Sequence, residues 1–144
     1  MKKKIIILLS IVFFVGIIII MGIFLYKNIK ENREQARYDE IRASVKEAVE
    51  WEISAVYPYC SIASGFKETS GPSSGHNSSH LINQGYIKKK ELLDVDNTSY
   101  CDVYVKINPD YEDPYDHQKN CKVYYKIYLK CKNHKDKGYI NWGY

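Results

Sequence analysis

Ile5 to Tyr26 reads IIILLSIVFFVGIIIIMGIFLY and runs without a break into Lys27 to Ser54, KNIKENREQARYDEIRASVKEAVEWEIS. The first stretch carries no charge and sits directly behind Lys2, Lys3 and Lys4. At roughly 1.5 Å of rise per residue it is long enough to cross a hydrocarbon core of about 30 Å as a helix. The second stretch holds neither proline nor glycine and is rich in good helix formers, so the helix is predicted to continue through it. Ile41, Val45, Ala48, Val49 and Val56 recur at helical spacing and predict one apolar stripe to be buried, whereas Lys27 to Tyr38 is polar nearly all round. Together these stretches predict a single helix of about fifty residues, on the order of 75 Å long. Pro58 ends it, because it restricts the residue before it and cannot continue the backbone pattern.

A basic start followed by an apolar run also opens a cleavable secretory signal. The run here is longer than a signal core of about 7 to 15 residues, and Lys27, Asn28, Ile29 and Lys30 follow it in place of a small-x-small cleavage pattern. An uncleaved anchor in the lipid bilayer is therefore expected. Its orientation is not decided by charge, since Lys2 to Lys4 flank one end and Lys27, Lys30, Arg33 and Arg37 the other. Cys60, Cys101, Cys121 and Cys131 form an even set confined to the part beyond the anchor, and no C-x2-C pair suggests zinc. A disulfide framework in an oxidising compartment fits them better, which puts the N-terminus in the cytoplasm and the rest outside the cell. The expected organisation is a tail and membrane helix over 1–26, a helical stalk and packing helix over 27–57, and one small disulfide-bonded α+β domain over 58–144. A net charge of +4 does not by itself imply nucleic acid.

Ser61 to Ser79 is rich in glycine, serine and proline and reads as loop. Leu81 with Ile82, and Leu92 with Leu93, mark two short helical turns over the end of the long helix, with Ser79 as N-cap and Gly85 as C-terminal stop of the first. The strands are clearer. Cys101, Val103, Val105 and Ile107 alternate with Asp102, Tyr104 and Lys106, and Cys121, Val123, Tyr125, Ile127, Leu129 and Cys131 alternate with Lys122, Tyr124, Lys126, Tyr128 and Lys130. Two such strands make an antiparallel pair with one wet face. If both apolar faces lie on the long helix, odd residues pair with odd residues. That register can set Val103 opposite Leu129, Val105 opposite Ile127, and Cys101 beside Cys131, where a bridge becomes feasible.

A membrane helix whose far half packs on a small antiparallel sheet resembles a type IV pilin or pseudopilin. LINQGYIKKKELLDVDNTSYCDVYVKI followed by KVYYKIYLKCKNHKDKGY also looks like the C-terminal segment of small pilin-like proteins of Gram-positive bacteria. There a G-Y-[IL] step and an L-x-[DN] turn precede C-x-x-Y-V-x-V and a final Y-x-x-Y-[LI]-x-C strand. The resemblance covers about the second half of the chain and implies a subunit of a pilus, competence or type II secretion apparatus that meets other pilin-like subunits through its N-terminal helix. It also implies that the cysteines matching Cys101 and Cys131 join the end of the sheet. Of the three pairings open to four cysteines, the expectation is Cys101 with Cys131, which leaves Cys60 with Cys121. The family's G-F-T-L-x-E processing site is missing, since Lys4 runs directly into Ile5, Ile6 and Ile7. An accessory subunit is therefore expected before a major filament subunit, and a membrane-anchored extracellular binding module is the alternative.

Tyr104, Tyr124 and Tyr128 among Lys106 and Lys126 could form a stacking platform for single-stranded nucleic acid or a glycan, though a soluble sheet face commonly has the same composition. His76 and His80 read as loop histidines without a third ligand, so no metal is expected there. Asp110, Glu112, Asp113 and Asp116 lack the spacing of a calcium loop and read as a solvated acidic segment. Asn77 and Asn97 open N-x-S/T sequons, which matter only in a eukaryotic secretory host. No positioned nucleophile, paired carboxylate signature or phosphate loop is found, so neither catalysis nor a cofactor is expected.

Overall fold

The computed structural model describes residues 2–63, 65–67, 74–111 and 121–139, with side chains from residue 12 onward. It is an α+β arrangement: a long N-terminal helix, α1 (Lys2–Val56), whose far part packs on a four-stranded sheet. The chain divides into two compact units, Met1–Ala36 and Arg37–Tyr144. In the first, Phe13, Phe14, Ile18, Ile20 and Phe24 all stand exposed. α1 is thus long and apolar enough to cross a membrane, and no part of the window that qualifies it is buried by the chain itself. This is compatible with a single-pass membrane anchor.

In the second unit α1 buries Tyr38, Ile41, Val45, Ala48, Val49 and Ile53, steps of three and four that keep one face of the helix on the sheet. Val56, expected on this stripe, is 57% exposed. It is the last helical residue, past the stretch that the sheet covers, and Ile53 makes the final buried contact in its stead.

β3 (Asp102–Asp110) and β4 (Lys122–Lys130) form the antiparallel pair, with Val103 opposite Leu129 and Val105 opposite Ile127. The sheet is wider than the alternation indicates. β1 (Ser61–Ala63) runs parallel to β4, and β2 (Ser74–Asn77) antiparallel to β3, giving a mixed sheet of order β1-β4-β3-β2. Both added strands lie in the segment expected to be loop. The long central strands each leave a row of backbone donors and acceptors open at one edge, and a short Gly/Ser segment can pair with such an edge without an apolar alternation of its own.

Helix α2 (Ser78–Asn83) is capped by Asn77, whose side chain accepts from the His80 N–H at 2.9 Å, and not by Ser79. Gly85 closes it with φ of +77°: its N–H reaches Ile82 O, and the Tyr86 N–H reaches Leu81 O. The second turn is a 3₁₀ segment at Lys89–Leu92. The Cys60–Cys121 and Cys101–Cys131 bridges, with Cα separations of 4.7 and 4.2 Å, hold the two ends of β4. Arg42 adds a polar tie, its guanidinium 2.5 Å from Asp136 Oδ1, while Asp136 Oδ2 accepts from the Leu129 N–H.

Tyr139 closes the C-terminal side of the described domain. Burial, followed by a hydrogen bond to Asp102 and its negative charge, pushes the Tyr139 phenol from 10.0 up to about 12. The neutral phenol is thus the form favoured by folding. Its contribution is complete below the ordinary phenol value and disappears as pH rises through about 12. In a spectrophotometric titration, Tyr139→Phe should remove one late-ionising phenol.

Candidate functional site

The outer face of the sheet is less open than its sequence indicates. Tyr104 is only 4% exposed. Its ring lies on Gly75 of the neighbouring strand, where an added Cβ would stand 2.7 Å from Cε2, and it stacks on Tyr128 with centroids 5.9 Å apart. The expectation that Tyr104 faces water is corrected by this packing: a glycine on an edge strand leaves a hollow that the cross-strand aromatic ring fills. The Lys106 ammonium lies 4.8 Å from the centre of the Phe66 ring, and that of Lys126 lies 5.3 Å from the centre of Tyr128. Lys126 is exposed, while Lys106, Tyr124 and Tyr128 are half-buried. The aromatic and cationic groups are therefore brought together, but largely onto one another. Of the acidic group, Asp110 receives Lys67 at 3.0 Å, and Glu112, Asp113 and Asp116 lie outside the described residues.

A different cluster forms on the inner face. His76 in β2 is paired with Val105, so their side chains share the face directed at α1. Asn77 then turns the chain into α2, and His80 in its first turn comes back beside His76, with ring centroids 4.2 Å apart. Both meet Glu52 of α1. Glu52 Oε1 lies 2.8 Å from His76 Nδ1 and 2.7 Å from His80 Nε2. The Glu52 side chain is 4% exposed, against 22% and 38% for the two histidines. Placing a carboxylate so deep costs several kcal/mol unless it is paired, and here the pairing is incomplete. Glu52 Oε2 is buried without a hydrogen-bond partner among the described residues, and so is His76 Nδ1, which is near Oε1 in distance but out of line for a hydrogen bond.

The reading of His76 and His80 as loop residues without a third ligand is corrected here, since they belong to β2 and α2, and Glu52 supplies a third donor atom. Glu52 was open to detection in the sequence: it lies three residues after Val49 and four after Ala48, on the stripe that should be wholly apolar. Asp94, Cys101 and Cys131 also converge. There the sulfurs are joined to each other, and Asp94 accepts from the N–H groups of Val95 and Lys132 at 2.6 and 2.9 Å, so that cluster is internally complete. Comparison with protein-family models, curated proteins and solved structures finds no match.

Proposed function

We propose that this chain is a single-pass membrane protein whose disulfide-bonded domain lies outside the cell, and that it serves as a pilin-like accessory subunit of a type IV pilus, competence or secretion-type apparatus. The observation that carries the reading is the division of α1: its N-terminal part exposes a continuous apolar surface, while its far part buries a stripe against a small sheet. An apolar helix surface left uncovered by its own chain needs lipid or neighbouring helices, and a pilin-like assembly supplies both. The ordered G-Y-I, L-D-V-D-N and C-D-V-Y-V-K-I motifs of the C-terminal half support the same class. The missing processing site favours an accessory place, held in the membrane, and also favours the second reading, an anchored binding module independent of any apparatus. The two readings differ in what touches the helix. A photo-crosslinking side chain at Ile20, 69% exposed, should give adducts with other membrane-helix subunits if the protein assembles. Adducts with lipid alone would leave the binding module.

A further inference from the structure

We propose that Glu52, His76 and His80 form a binding site for a divalent transition metal ion of the Zn2+ type, with three protein ligands and one exchangeable position. The three donor atoms lie within 4.8 Å of one another. A tetrahedral zinc ion with bonds of about 2.0 to 2.2 Å needs its donors about 3.3 to 3.6 Å apart, so small side-chain movements open the space. Two imidazole nitrogens and one carboxylate oxygen are borderline donors that suit zinc and its neighbours better than calcium or magnesium, which prefer oxygen alone.

A carboxylate near the end of an otherwise apolar helix stripe, one residue before its last buried member Ile53, adds no apolar contact, and Glu52 keeps Oε2 without a hydrogen-bond partner among the described residues. The buried His76 Nδ1, 2.8 Å from Oε1 but out of line with it, makes no hydrogen bond among the described residues. An unsatisfied buried polar group is costly, and two in one side-chain cluster call for a shared partner. A cation between them satisfies both and offsets the buried negative charge. The backbone is arranged for it as well: Asn77 caps α2 directly between the two histidines and so holds His76 and His80, residues of two different elements, against one oxygen. Both imidazoles border an open groove of about 440 Å3, lined also by Gly75, Asn77, Asn83 and Tyr104, through which an ion and its water can exchange. A bound ion would tie α1, β2 and α2 to one point, and this part of the domain would then depend on metal supply.

The test is a titration of the full-length protein in detergent micelles, after chelator treatment, with Zn2+ by calorimetry and with Co2+ by visible absorption. One equivalent should bind, Co2+ should show the intense bands of low coordination number, and Zn2+ should raise the thermal unfolding temperature. His80→Ala alters a side chain near the surface and should leave the fold intact while weakening Zn2+ on the order of 100-fold. Glu52→Gln, which retains shape but loses charge, should weaken it likewise and abolish the thermal shift. A folded wild-type protein that takes up no Zn2+ at micromolar concentration would overturn the proposal. So would a folded His80→Ala protein that binds as tightly as wild type.

Discussion

Replacing Cys101 and Cys131 together by Ala should lower the unfolding free energy by roughly 3.6 kcal/mol, the loop-closure value for a separation of 30 residues. For Cys60 and Cys121, separated by 61 residues, the same reasoning gives roughly 4.3 kcal/mol. These are large fractions of the 5 to 15 kcal/mol or so that holds an ordinary domain together. Their placement adds to their effect, because the two bridges hold the ends of β4, the strand between β1 and β3. Urea unfolding of the full chain in detergent should show a lower midpoint for either pair of substitutions, and no cooperative transition when both bridges are removed or reduced. A loss below about 1 kcal/mol for each would mean that the core alone holds the sheet on α1.

The second large effect belongs to the apolar half of α1. Phe14 and Ile18 are 64% and 67% exposed, so changing them leaves the packed domain untouched. Aspartate near the centre of a membrane helix costs about 2.5 to 3.5 kcal/mol, and the apolar residue it replaces contributed a few tenths in the other direction. Phe14→Asp with Ile18→Asp should therefore disfavour insertion by roughly 6 to 8 kcal/mol, enough to move most of the protein out of the membrane fraction. Alkaline extraction followed by sedimentation measures this directly. A double variant that still pellets with membranes would show that the run is held by something other than lipid.

How much of this was legible in the sequence depends on the length of the pattern. α1, β3 and β4 each repeat a period over several turns or residue pairs, and a register that keeps Val103 and Leu129 on one face follows from parity alone. The Cys101–Cys131 bridge belongs to the same register. β1 and β2 were not legible because strands of three and four residues hold too few positions for alternation, and Gly75 marks a hollow under Tyr104 that only the cross-strand neighbour reveals. Tyr104 reads as a wet-face residue for the same reason. The Glu52 cluster lay half in view. Its histidines sit in a Gly/Ser-rich stretch that suggests loop, and its carboxylate is distant in sequence. Only the pairing of β2 with β3 turns His76 toward α1, yet a carboxylate on an apolar helix stripe is a local inconsistency visible without any structure.

A membrane-held chain with its oxidised domain outside, the proposed topology, exposes that domain to any reagent that cannot cross the bilayer. The measurement is to add a membrane-impermeant protease to cells stripped of their wall and to follow the domain on non-reducing gels. Residues beyond the anchor should be digested while cytoplasmic markers survive, and the undigested domain should carry no free thiol. Full protection of the domain, with thiols that react only after lysis, would place it in the cytoplasm instead.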